Sequence, residues 1–152
     1  VDVNFLPARP PEEVKDAFPV QTVPMGYVTE PERMRDLYRC ADLLLMPSLM
    51  DNLPNTIVEA MACGVPCVGF RVGGITQMID MDINGYLADY CDSLDLAKGI
   101  LTTLNSPSYP AMSRNARSKS VSCYSEKTVA ERYLALYRQL LKGSLENEAA
   151  KT

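Results

Sequence analysis

The chain has 152 residues and a net charge of −4, and it contains no histidine. That length suits one domain with its own core, the mild acidity excludes the clustered Lys and Arg of a nucleic-acid footprint, and no apolar run reaches the length of a membrane span. The missing histidine removes the commonest general base and metal ligand, and Cys40, Cys63, Cys67, Cys91 and Cys123 lack a C-x-x-C pair, so a reducing, cytoplasmic setting is expected rather than a zinc or disulfide framework.

Val1 to Leu6 reads as a short strand, followed by a turn at Pro10 and Pro11 and a short helix over Glu12 to Phe18. Gln21 to Val28 reads as a second strand, paired only after Pro24, because proline has no N–H to give a ladder. Glu30 to Ala41 is predicted helical: Pro31 suits a first turn, and Met34, Leu37, Tyr38 and Ala41 recur at helical spacing. Leu43 to Met46 is a continuous apolar run closed by Pro47, which suits a strand covered on both faces. A helix is predicted over Leu53 to Cys63, stopped by Gly64 and Pro66, then a buried strand over Val65 to Phe70. Gly73 and Gly74 open a short helix to Ile79, and "NGYLA" from Asn84 gives a turn and a last strand.

The remainder is predicted helical. Ser93 to Leu104 places Leu94, Ala97, Ile100, Leu101 and Leu104 on one face, and Tyr109 to Val121 is more polar. In the final helix Ser125 is the N-cap. Val129, Tyr133, Leu136, Tyr137, Leu140 and Leu141 form an apolar stripe, and Gly143 is the expected stop. Strands alternating with helices imply an α/β fold: a Rossmann-like, mostly parallel sheet of about five strands with helices on both faces. Such sheets bind ligands at the carboxyl ends of their strands.

That rule draws attention to "DNLPNTIVEAMACGVPCVGF", Asp51 to Phe70. The loop Ser48 to Asn52 falls at the carboxyl edge, with Asn52 the expected N-cap. The next helix aims its free N–H groups and dipole at the same crevice, which suits a phosphate. Asp51 precedes that helix and Glu59 lies ~8 Å along it at ~1.5 Å per residue. Glu59 falls roughly 200° around the helix from Ile57, away from the core. Two carboxylates astride an anion-attracting helix start fit a ligand with hydroxyls at both ends and phosphates between, as in a sugar nucleotide. A carboxylate can accept two ribose hydroxyls. Spacing alone favours the plainer alternative, a helix cap at Asp51 or Asn52 and a solvated Glu59.

The stretch from Ala41 to Ile100 resembles the C-terminal, donor-binding domain of a GT-B glycosyltransferase of the large retaining family 4. The matching residues are Ala41 and Asp42, Pro47 and Ser48, Glu59 to Ala62, Gly64, Pro66, Gly73, Gly74, Gly85 and Leu87. "MGYVTEPERMRDLYRCAD" resembles the family's preceding strand and helix, and "YSEKTVAERYLALYRQLL" its closing helix. The resemblance implies transfer of a sugar from a nucleotide-diphosphate sugar to an acceptor, with anomeric configuration retained and neither metal nor other cofactor required. Glu59 matches the second acid of the family's E-x7-E motif, which binds the nucleotide ribose. Asp51 stands where the first Glu sits, as the catalytic acid near the sugar, and is one methylene shorter. The family's loop is often E-G-F-G and here reads "DNLP"; with Ser48 matching, backbone N–H groups around Asn52, Leu53 and Asn55 are still expected to face the donor sugar and phosphates, although Pro54 has no N–H to offer. Tyr27, Val28, Thr29 and Glu30 match the turn beside the base. Gln77 replaces an acid common after the two glycines.

Family members hold the diphosphate with an Arg and a Lys earlier in this domain, and meet a sugar or lipid acceptor through an N-terminal domain. The expectation is therefore a partial donor-binding domain over 1–142 and a flexible polar tail over 143–152. The isolated chain is expected to fold, to bind donor weakly and to transfer nothing. An open sheet edge would favour a homodimer, and the full-length parent would work in the cytoplasm or at the cytoplasmic face of the membrane. Two alternatives stay open: a sugar-nucleotide epimerase of related fold, and a non-catalytic flavodoxin-like binding domain.

Overall fold

The computed structural model describes residue 23 and residues 25–149. The predicted strand Val1 to Leu6 and helix Glu12 to Phe18 lie outside the described residues. Six helices and three strands follow among those described: α1 (Pro31–Cys40), β1 (Leu44–Met46), α2 (Asn55–Ala62), β2 (Cys67–Phe70), α3 (Ile75–Met78), β3 (Gly85–Ala88), α4 (Ser93–Leu104), α5 (Tyr109–Tyr124) and α6 (Glu126–Ala149).

The strands form a parallel sheet in the order β1-β2-β3, with Leu44 opposite Cys67 and Cys67 opposite Gly85. Alternation along each strand divides the core in two. Leu44, Met46, Cys67 and Leu87 face a cluster built with Tyr38, Ile57, Ala60, Met61, Ile75 and Ala116. Leu43, Leu45, Val68, Phe70, Tyr86 and Ala88 face Leu96 and Ile100 of α4. Helices therefore cover both faces, and the α/β reading holds.

α2 ends in a Schellman motif, in which two N–H groups beyond the helix return to its last-turn carbonyls. The Gly64 N–H reaches the Met61 carbonyl and the Val65 N–H the Ala60 carbonyl, each at 2.9 Å, with Gly64 at φ +81°. Pro66 then feeds β2. α5 braces α2 from outside the sheet: the Ser120 hydroxyl donates to the Val58 carbonyl at 2.9 Å, and Arg117 donates to the Ala62 carbonyl. Ser125 caps α6 as expected, its Oγ accepting from the Thr128 N–H at 3.3 Å.

Five expectations need correction. Residues 25–30 form no strand, because Gly26 sits at φ +65° and breaks the extended run. α2 begins at Asn55, so neither Leu53 nor Asn52 starts or caps it; the N-cap is Pro54. A proline pushes the preceding residue out of the helical region, which bars Leu53 from the first turn. α5 runs on to Tyr124. α6 passes through Gly143 to Ala149, since one helical glycine costs only ~1 kcal/mol among good helix formers. On that helix Tyr133, Leu136, Tyr137 and Leu141 are exposed.

The fifth correction concerns α4. Its buried residues are Leu96, Gly99 and Thr103, whereas Leu94 and Leu101 face solvent. A Cβ on Gly99 would lie 2.4 Å from the Tyr86 ring, so helix and sheet meet there through the missing side chain. The ring is also tethered, its hydroxyl donating to Asp95 at 2.8 Å. Gly99→Ala is therefore expected to destabilise the chain by ~1–2 kcal/mol: overpacking outweighs the gain in helix propensity. Thermal melting would register this as a fall of several degrees.

Candidate functional site

Residues 47–54 carry the chain from the carboxyl end of β1 to the start of α2. No side chain caps α2 at its N-cap, Pro54, so the partial positive charge of its first turn is not offset by a cap. Ser48 and Asp51 are partly exposed on this loop, and Asn52 and Asn55 are exposed.

Two glycines set the loop's position. Beyond the carboxyl end of β2 the backbone turns at Gly73, where φ is +47°. A Cβ there would lie 1.9 Å from the Asp51 carbonyl oxygen, and one on Gly74 would lie 1.5 Å from that of Asn52. The loop bearing Asp51 thus rests directly on the backbone that opens α3. Leu53 packs beside the same glycine, and Thr76 ties the turn by donating to the Gly73 carbonyl at 2.8 Å.

Glu59 lies one turn into α2, on the opposite side from Ile57 and Met61, which are fully buried. Its side chain is not merely solvated. The Tyr38 hydroxyl, from the last turns of α1, donates to Glu59 Oε2 at 2.9 Å. Burial pushes the Tyr38 phenol up, and the Glu59 carboxylate adds to the shift. Tyr38 therefore keeps its proton and serves as a permanent donor.

Tyr27 to Glu30 precede α1. Tyr27 is 80% exposed while Val28 is buried, so the turn presents an aromatic ring outward. Thr29 donates to Glu30 at 3.0 Å. The Glu30 carboxyl is held below its ordinary value, chiefly by its own backbone N–H and then by the Thr29 hydroxyl. Among the described residues, no three His, Cys, Asp or Glu side chains gather as metal ligands, and no helix is long and apolar enough to cross a membrane.

The first acid and the glycine turn thus share one edge of the sheet, and the second acid lies one turn along the helix that leaves it. Three residues gained roles that the sequence did not announce. Tyr38 read only as a core residue, and Gly73 and Gly74 read as a motif without a contact. A tyrosine on an apolar stripe whose hydroxyl must find a partner was the available signal for the first.

A parallel sheet, helices on both faces and an acid-bearing loop at the carboxyl edge define a Rossmann-like α/β domain. The family described as glycosyl transferases group 1 matches residues 7–106, and the chain belongs to that family. It is 28% identical over 117 residues to the N-acetyl-alpha-D-glucosaminyl L-malate synthase of Bacillus anthracis, covering 76% of this chain and 31% of that protein. Its fold superposes on the sucrose-phosphate synthase of Thermosynechococcus elongatus with a TM-score of 0.71 and 26% identity, over 80% of this chain and 31% of that one. The HepE protein of Anabaena, solved in complex with UDP-glucose, superposes with a TM-score of 0.71 at 21% identity, over 83% of this chain and 34% of that one. The chain thus spans about a third of the length of these relatives.

Proposed function

We propose that this chain holds the nucleotide sugar in a glycosyltransferase that retains anomeric configuration. The bond between the anomeric carbon and the diphosphate oxygen breaks, the acceptor oxygen bonds to the same carbon, and the acceptor's proton leaves with the diphosphate. Glu59 accepts hydroxyls of the ribose. The uncapped start of α2 faces the diphosphate, a contribution of about 0.3–1 kcal/mol at an exposed site. Asp51 lies beside the sugar, Ser48, Asn52, Leu53 and Asn55 line the donor loop, and Tyr27 to Glu30 border the base. The acceptor, a sugar or a lipid, is met outside this chain, the donor is loaded from the cytoplasm, and no metal takes part.

The observation that carries this reading is the position of Asp51 and Glu59 on either side of an uncapped helix start at the carboxyl edge of a parallel sheet. Family membership supports it, as does the UDP-glucose in the HepE complex. The test is release of nucleoside diphosphate from UDP-, GDP- and ADP-sugars by the full-length protein, with simple sugars and lipids as acceptors. Release from one donor class, stimulated by an acceptor, is the expected result; no release from any donor overturns the reading.

Asp51→Ala is expected to lower kcat roughly 10- to 100-fold while changing nucleotide affinity less than about threefold. A carboxylate beside the anomeric carbon helps as positive charge develops there, a transition-state effect that appears in turnover. Equal losses in turnover and in binding of free nucleotide would instead mark Asp51 as a loop anchor.

A further inference from the structure

Resting on the ribose assignment above, we propose that Tyr38 is a positioning residue that pre-sets the Glu59 carboxylate for the cis-diol of the donor ribose. The side chain of Tyr38 is 4% exposed and belongs to the core. Its hydroxyl has a specific acceptor 21 residues away, on a different helix. Glu59 is exposed on its own helix, and no ion pair among the described residues involves it. An exposed glutamate carries among the largest rotamer freedoms of any side chain, and binding two hydroxyls must freeze it. A donor rooted in the core removes part of that freedom before the ligand arrives, which raises affinity by preorganisation.

The stoichiometry of lone pairs agrees. An ionised carboxylate offers about four acceptor sites on two oxygens. Tyr38 occupies one on Oε2, so Oε1 and the remaining site on Oε2 stay open to a vicinal pair of hydroxyls. α1 begins directly after the turn at Tyr27 to Glu30 and carries Tyr38 in its last turns. One helix therefore links the turn assigned to the base with the acid assigned to the ribose.

The experiment uses the full-length protein and calorimetry. UDP, GDP and ADP are titrated first, then the 2′,3′-dideoxy form of whichever binds tightest. Tyr38→Phe keeps the ring in the core, and its fold is checked by circular dichroism. It is expected to raise Kd for the ribonucleotide roughly 3- to 10-fold and to leave the dideoxy analogue within about twofold. Donor KM should rise while kcat holds, and Tyr38→Phe should add nothing in a Glu59→Ala background. Equal weakening of ribonucleotide and dideoxy analogue would show a merely structural tyrosine and overturn the inference. So would unchanged ribonucleotide affinity in Tyr38→Phe alongside a loss in Glu59→Ala. Unchanged affinity in Glu59→Ala itself, or no binding of any of the three nucleotides, would remove the ribose assignment and the inference with it.

Discussion

Glu59→Gln in the full-length protein is expected to weaken donor-nucleotide binding by ~1.5–3 kcal/mol, the usual worth of a hydrogen bond to a charged group. The loss should appear in Kd and in donor KM, because the proposed ribose contact would be made equally in the ground and transition states. Stability should change by less than about 1 kcal/mol, since the position is exposed and a glutamine oxygen can still accept from the Tyr38 hydroxyl. Calorimetry and a melting curve on the same sample separate the two effects. Unchanged nucleotide affinity would make Glu59 a surface residue that merely satisfies a buried tyrosine.

Gly74→Ala is expected to damage both fold and site. The added Cβ would stand 1.5 Å from the Asn52 carbonyl oxygen and 2.7 Å from its carbon. Both are backbone atoms, so no rotamer change relieves the clash, and the loop bearing Asp51 must move. Overpacking of this kind costs ~1–3 kcal/mol, and misplacing catalytic groups by about 1 Å can cost ~100-fold in rate. A Tm several degrees lower, with turnover falling by at least tenfold, is the expected pair of results. Gly26→Ala is the control: a Cβ there meets nothing within 4 Å, so only the strain of its positive φ remains, about 1–2 kcal/mol. Turnover unaffected by Gly74→Ala would mean that the loop tolerates displacement and that Asp51 acts elsewhere.

Much of the fold was legible because apolar runs were closed by residues with one meaning each. Pro47 ended β1, Gly64 and Pro66 separated α2 from β2, and Asn84 with Gly85 opened β3. The start of α2 departs from the pattern because Asn52 has the chemistry of a cap, yet the effect of Pro54 on Leu53 decides the boundary. The buried face of α4 departs for a different reason. Counting apolar residues ranks Leu94 and Leu101 above Gly99 and Thr103, yet Tyr86 needs the space that only a glycine leaves. The stripe on α6 followed the helical period, but periodicity does not say what lies opposite.

The candidate site was legible as spacing and not as contacts. Asp51 and Glu59 could be read as a pair from their separation and from the family's motif. That the Asp51 loop rests on Gly73 and Gly74, and that Glu59 is held from a helix 21 residues earlier, are tertiary facts that no local pattern encodes.

In the proposed role this domain takes a nucleoside diphosphate sugar through its ribose, its diphosphate and its base. The decisive experiment is calorimetry of the full-length protein against UDP, GDP and ADP and their glucose conjugates. One nucleotide series is expected to bind in the micromolar range or tighter, with the free diphosphate retaining most of the affinity of its sugar conjugate. Binding of none of the three series, or binding that tracks the sugar and ignores the nucleotide, would contradict it.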